Sequence, residues 1–443
     1  MKLRTYKRTG YAVAALAAAA LAAVGCSSSS SSSSSSAPAS SAASGSASPA
    51  PSVSNSFQAV TNYLSYVGGK AGAATGSPIK IGYVNQQGGQ SAVGLLATAG
   101  AQMAVNYANA ELGGIGGHKI VLDTCFIASA EEEGTRCAQQ FLADKVPAIA
   151  MGGVAIGVQS FYNTLGGKIP VIDGVAATPV DAAQKNSVIL FGDATHVLGP
   201  MGTYATTVLH AKTAALVYPQ SPGITEGAAA IQAGLKAAGV TVKSVGYPQT
   251  QTDLTGPLEQ AGATTADMVI PYSDASGCVN LAKALTALHI TDAKKIVSAP
   301  LCLNGQVIQG LGDFPKWTYS IASSNFGDPT DPGMPAYEAV AKKYSTPANE
   351  TDPWNIVDFG QLLTTIKILN QVGYANITPD AVLTAAKAFK GPQALGAPAL
   401  DCGKYASAPG VCNDRAQFFE YMGMVNKHPD FVRAAPWLQP PTA

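Results

Sequence analysis

The chain has 443 residues, 47% of them apolar, and its 27 basic residues balance its 27 acidic ones. That balance, with no run of basic residues in the body of the chain, argues against nucleic acid as a partner. The apolar share suits a soluble protein with a large core, and the length exceeds what one core usually fills, so two lobes are expected.

The chain opens with Lys2, Arg4, Lys7 and Arg8, then an apolar run over residues 11–24 that is too short to cross a bilayer as a helix. Ala23, Val24 and Gly25 lead into Cys26. This start resembles a bacterial lipoprotein signal, although leucine stands five positions before the cysteine instead of the usual three. The resemblance implies removal of residues 1–25, lipidation of Cys26 and a protein anchored on the extracytoplasmic face of the cell membrane. Without the signal, 23 basic residues face 27 acidic ones, a net charge of −4. Residues 26–56 are rich in Ser, Ala and Pro, too polar and too small to bury apolar surface, and read as a disordered tether. Acyl chains anchor through buried methylenes worth about 0.8 kcal/mol each. Residues 57–77 form an N-terminal helical extension: Phe57, Val60, Leu64 and Val67 recur at helical spacing, which predicts a helix over 54–68 packed on the surface.

From Pro78 the pattern becomes regular. IKIGYV (79–84) and HKIVLDTCF (118–126) read as strands, with a helix over 91–112 between them that ends at Gly113–Gly114. Ser129 and Glu132 have capping-box spacing and open a helix to about Asp144. PAIAMGGV (147–154) and IPVIDGV (169–175) are further strands flanking a helix over 157–165. The alternation then restarts with TAALVYP (213–219), VTVKSVGYP (240–248), ADMVIPYSD (266–274), KKIVSAPL (294–301) and KWTYSIASS (316–324), again separated by helices. Helices from Met334, Trp354 and Thr378 follow, and FFEYMGMV (418–425) reads as a late strand returning to one of the sheets. The expected fold class is therefore α/β, with two doubly wound parallel-sheet lobes joined by a hinge and a ligand cleft between them.

Six cysteines follow Cys26: Cys125, Cys137, Cys278, Cys302, Cys402 and Cys412. Export favours three disulfides. Fifteen connectivities exist, and nearest-neighbour pairing is the working choice, each short loop being worth about 2–3 kcal/mol. No Cys-x-x-Cys or Cys/His cluster offers a zinc site, and no metal is expected.

Catalytic signatures are missing. There is no Gly-x-Ser-x-Gly elbow and no P-loop, and the glycines at 113–117 follow a helix, the wrong place for a dinucleotide loop. His118, His196, His210, His289 and His428 are scattered. No enzyme activity and no cofactor are expected. Two α/β lobes without catalytic groups suit ligand capture, because ligands bind beyond the carboxyl ends of the strands and closure about a hinge encloses them.

The stretch VNYANAELGGIGGHKIVLDTC (105–125) carries Asn109, Ala110, Gly113, Gly114, Ile115, Gly117 and Cys125. With IPVIDGVAATP (169–179), LVYPQSPGITEGAAAIQAGLKAAGVTV (216–242) and DMVIPYSDASGCVNLAKAL (267–285), it resembles the branched-chain amino-acid-binding proteins of ABC importers over residues 78 to 330. The resemblance implies the type I periplasmic-binding fold with three crossovers. Lobe 1 would hold 78–196 plus about 325–398, and lobe 2 would hold 197–324 plus about 399–443. It also implies a monomer that delivers a small molecule to a membrane permease. A sensory lipoprotein of the same fold, reporting to a membrane receptor, is the alternative.

The amino-acid site departs from the family. Ala155 and Ile156 stand where hydroxyls are expected, Ala176 and Ala177 flank Thr178, and Leu301 and Cys302 replace the acid that would meet an ammonium group. Burying a zwitterion without partners costs several kcal/mol. A less charged ligand, such as an amide or aromatic compound, is therefore expected. Candidate lining residues lie at strand ends: Gln86, Gln87, Ala155, Ile156, Ala177, Thr178, Ser221, Tyr272, Asp274, Leu301 and Asn304, with Phe326 near the hinge. A Cys278–Cys302 bridge would sit beside the pocket.

Overall fold

The computed structural model describes residues 59–88, 93–221, 223–347, 349–426 and 428–442. The signal, Cys26, the tether and Phe57 lie outside the described residues. Among the described residues, no helix is long and apolar enough to cross a membrane.

The first sheet is fully parallel. It contains β1 (Gly76–Gln86), β2 (His118–Ile127), β3 (Ile149–Met151), β4 (Val171–Asp173) and β5 (Ser187–Ile189), in the order β2-β1-β3-β4-β5. β3, β4 and β5 are buried along their whole length, as parallel strands covered on both faces must be. β5 has three residues and no alternation, and the sequence pattern does not reveal it.

The second sheet starts with β6 (Thr213–Pro219), β7 (Thr241–Tyr247) and β8 (Met268–Pro271) in the parallel order β7-β6-β8. A bridge between Val269 and Ile296 joins it to β9 (Val297–Ser298), which pairs in parallel with β10 (Thr318–Ile321). After β11 (Lys390–Gly391) and β12 (Leu400–Asp401), which pair only with each other, β13 (Ala416–Val425) adds antiparallel to β10. β14 (His428–Leu438) closes the edge as the partner of β13. The late strand thus returns to the second sheet, but as half of a hairpin.

Three chain segments cross between the sheets: after β5, after β10 and before β13. Residues 399–415, expected in lobe 2, stay with the first sheet. Ile189 N–H donates to Gly410 O (2.7 Å) and Cys412 N–H donates to Ile189 O (3.0 Å), so this segment extends the first sheet beyond β5. Cys402 and Cys412 are buried in the first core, and the final crossing falls at about Ala416.

The helix Pro353–Val372 fills the first core. It is buried almost throughout from Asn355 to Leu369, and Ile356, Phe359, Leu362, Leu363 and Ile366 pack with Ile81, Tyr83, Ala150, Ile172 and Val188. Its polar residues are tied down: Gln361 donates to the carbonyls of Met151 and Ile172, both at 2.7 Å. The N-terminal extension, expected on the surface, is instead part of this core. Its helix Tyr63–Val67 buries Tyr63, Tyr66 and Val67, and the Tyr66 hydroxyl lies 2.9 Å from Thr364 Oγ1.

The glycine segment after the helix Val93–Glu111 is a tight turn. Gly114 has φ 63°, and a Cβ there would collide with the His118 carbonyl. Asn109 holds the turn against β2, donating to Ile120 O and accepting from Ile120 N–H, each at 2.8 Å. The helix Glu131–Asp144 is capped by Glu133, not Glu132. Glu133 Oε2 accepts from the N–H groups of Ala128, Ser129 and Ala130 because it reaches back over the first turn, which holds its carboxyl below the usual range. The disulfides pair Cys125–Cys137, Cys278–Cys302 and Cys402–Cys412.

Candidate functional site

The carboxyl ends of both sheets border one cavity of about 310 Å³, room for about ten waters at about 30 Å³ each. The first sheet supplies Ala155 after β3, Val175, Ala176 and Ala177 after β4, and Phe191 after β5. Pro353, Trp354 and Val357 come from the first turns of the core helix. The second sheet supplies Tyr272 after β8, Ala299, Pro300 and Leu301 after β9, and residues 320–323 around the end of β10. Ala194, Val197 and Leu198 from the first crossing, with Gly223 and Ile224 at the start of the helix Ile224–Ala237, complete the wall. A Cβ at Gly227 would collide with the Tyr272 hydroxyl, so glycine lets this ring lie against the helix.

No Lys, Arg, His, Asp or Glu is among the lining residues. The polar side chains in the wall are Tyr272, Ser320, Ser323 and the Trp354 indole. Two acids stand behind it. Asp358 follows Val357, is fully buried, and accepts from the Tyr83 hydroxyl at 2.7 Å; burial raises its carboxyl to about 7. Asp173 lies at the end of β4, two residues before Val175, and burial, with Asp181 and Asp358 nearby, pushes it well above the ordinary carboxyl range. Burial works against the charged form of both acids.

Four of the expected residues meet at the cavity: Ala155, Ala177, Tyr272 and Leu301. The others are not among its lining residues, and most of their polar groups are already engaged. Gln86 Oε1 accepts from the N–H groups of Ala155 (2.9 Å) and Ile156 (3.4 Å). The backbone donors that a carboxylate would need in that loop are therefore occupied. Gln87 Oε1 accepts from Thr98 at 2.7 Å. Ile156 is 38% exposed. The Thr178 hydroxyl donates to Asp181 at 2.8 Å. The Ser221 carbonyl accepts from the Thr225 N–H and hydroxyl, both at 3.0 Å. Asp274 caps the helix Ala275–Ala287, accepting from Gly277 N–H at 3.0 Å, and also accepts from Gln249 at 3.1 Å. Asn304 caps the helix Gly305–Leu311 and donates to Leu301 O at 2.7 Å, which steadies a lining residue. Phe326 stacks on His428 and packs edge-on against Tyr337. The Cys278–Cys302 bridge ties the helix after β8 to the segment carrying Pro300 and Leu301.

Sequence reasoning missed Phe191, Trp354, Val357 and the wall at 320–323. Phe191 follows the unrecognised β5, and Trp354 and Val357 enter from a helix that reaches the cleft after the second crossing. KWTYSIASS carried the one available signal, since its end is a strand end beside a crossing.

Among the described residues, no group of three or more His, Cys, Asp or Glu could hold a metal. No curated protein matches the sequence. Solved structures resemble the chain in fold at low identity. An ABC transporter substrate-binding protein from Sphaerobacter thermophilus superimposes with TM-score 0.68 at 16% identity, covering 82% of this chain and 98% of that one. An R. palustris ABC-transporter solute-binding protein in complex with 4-hydroxybenzoate gives 0.64 at 16%, covering 82% and 98%. The branched-chain amino acid transporter substrate-binding protein LivJ from Streptococcus pneumoniae, in complex with isoleucine, gives 0.61 at 18%, covering 80% and 99%. The family described as periplasmic binding protein matches residues 78–405, most of the chain. With two wound sheets bordering one cleft, the chain belongs to the periplasmic binding protein family and has its type I fold.

Proposed function

We propose that this protein is an extracytoplasmic, lipid-anchored solute-binding protein that captures a small, uncharged organic compound for an ABC importer. The observation that carries the ligand class is the wall of the cleft: about 310 Å³ bounded mainly by alkyl and aromatic side chains, with no ionisable side chain except the Tyr272 phenol. A free α-amino acid needs donors for its carboxylate and an acid for its ammonium group. The N–H groups of Ala155 and Ile156 are taken by Gln86, and Asp274 is spent on a helix cap. Leaving either ionic group unpaired in the cleft costs several kcal/mol. Family membership and the substrate-binding proteins of like fold support the importer reading. The sequence ahead of Cys26 supports the anchor.

A thermal-shift screen followed by calorimetry tests the ligand class. Neutral amides, phenols and alcohols are expected to stabilise the protein, and submicromolar binding of leucine, isoleucine or valine would sink the proposal. Membrane fractionation tests the anchor: Cys26→Ser is expected to release the protein from the membrane.

A further inference from the structure

Trp354 is the largest side chain in the cavity wall, and it is only partly buried. The other two rings of the wall are nearly sealed: Phe191 is completely buried and Tyr272 is 5% exposed. The place of the indole is set by the backbone around it. Pro353 opens the core helix, and the Asp352 carboxylate accepts from Trp354 N–H at 2.8 Å, which fixes the residue in the first turn. The six-membered half of the indole lies on Gly153, just beyond β3, where a Cβ would stand 3.0 Å from Cζ3 and 3.2 Å from Cη2. The φ of Gly153 is not in the left-handed region, so its backbone does not call for glycine; the ring does. The second half of the cleft repeats the arrangement, because the Tyr272 ring lies against Gly227 inside a helix, where glycine is otherwise unfavourable. Ala155, Ala176 and Ala177 are short, so the indole is the broadest accessible surface that the first half offers to a guest.

Resting on the uncharged-solute reading above, we propose that Trp354 determines the specificity of the cleft: its indole is a fixed platform that selects flat aromatic guests over saturated ones of the same size. An aromatic ring set against an indole, face to face with an offset or edge-on, gains a contact between the two ring quadrupoles. A saturated ring buries similar area without that gain. A platform already held by a capped helix start and seated on a glycine loses little freedom when the guest arrives, so little of the contact is cancelled by ordering. Tyr272 borders the same cavity from the second half. The ligand class thereby narrows from neutral organic solutes in general to aryl amides, phenols and related ring compounds.

Calorimetry with benzamide, cyclohexanecarboxamide and benzoate tests this against the wild type, Trp354→Leu and Trp354→Phe. The two amides share a polar group and differ in whether the ring is aromatic. The wild type is expected to bind benzamide roughly tenfold more tightly than the saturated amide. Trp354→Leu should bring that ratio close to one, with the saturated amide held within about threefold of its wild-type affinity. Trp354→Phe, which keeps a ring, should retain most of the preference. The ratio of the two amides is the readout, and a merely structural role for Trp354 would weaken both alike. Fluorescence gives a second readout: of the three tryptophans, Trp317 and Trp437 are 4% and 5% exposed and outside the cavity wall, so a shift in indole emission on adding benzamide reports Trp354 and should vanish in Trp354→Leu. Equal binding of the two amides by the wild type, or a preference for benzamide that survives in Trp354→Leu, overturns the platform while leaving the uncharged-solute reading intact. Benzoate as the tightest wild-type ligand overturns the uncharged class beneath it. Failure of both amides with the wild type removes that reading and this inference together.

Discussion

Replacing Asp358 by asparagine isolates the effect of a buried acid behind the cleft. The carboxyl is fully buried, one oxygen accepts from Tyr83 at 2.7 Å and the other has no partner. Burial raises it from 3.8 to about 7 in the folded protein. The folded state therefore holds a proton that the unfolded chain has already released, and stability must fall as pH rises between these values and level off above the upper one. From pH 5 to about 7, at about 1.4 kcal/mol per pH unit, this single group removes roughly 3 kcal/mol. Asparagine keeps an oxygen to accept the Tyr83 hydroxyl but does not titrate. Urea unfolding at pH 5 and pH 8 is the assay. Asp358→Asn should gain about 3 kcal/mol over the wild type between the two conditions, with an unchanged dependence on urea. If wild type and variant lose stability in parallel as pH rises, the reasoning is refuted and the carboxyl is not held protonated by its surroundings.

Three further outcomes are expected. Asn109→Ala removes both 2.8 Å hydrogen bonds to Ile120 and strands two backbone groups, so chemical denaturation should register a loss of about 2–3 kcal/mol. Ala177→Trp fills the cavity from the first lobe, and calorimetry should show neutral probes no longer binding while the thermal midpoint stays within a few degrees. Replacing Cys278 and Cys302 together by serine opens a loop of sequence separation 24, and unfolding under oxidising conditions should show a loss of about 3 kcal/mol.

The strands that the sequence reveals are the longer apolar or alternating runs, whereas β5, buried along its whole length, has too few residues to show a pattern. TAALVYP matches β6 at both ends, Thr213 and Pro219, because its apolar run is continuous and bounded by turn residues. β14 is harder to see: Pro429 and Pro436 argue against a strand, yet an edge strand leaves some N–H positions unpaired and tolerates both. Glu132 and Glu133 are adjacent and chemically alike, and only the geometry of the first turn decides that Glu133 reaches back. The candidate site shows a similar division. Strand ends lie on the side of each sheet that borders the cavity, and Ala155, Ala177, Tyr272 and Leu301 line it. The polar candidates lie outside the lining because their groups are engaged locally. Asp274 and Asn304 stand at strand ends that are also helix starts, where short polar side chains serve the backbone, and the Thr178 hydroxyl is spent on the Asp181 carboxylate of its own helix. Which apolar residues face the gap depends on how the two sheets oppose each other, and that is not a local property of sequence.

The helix Pro353–Val372 lies far along the chain yet fills the core beneath β1 and β3, which are complete by Met151. During vectorial emergence, that sheet has only the helix Val93–Glu111 and the N-terminal extension to fill this core until some two hundred further residues have appeared. The second sheet waits longer still, because Phe418, Phe419 and Phe431 of the closing hairpin are part of its cores. Both halves are therefore closed by segments that come late in the chain, and a chain stopped short of residue 353 would lack the main filling of its first core.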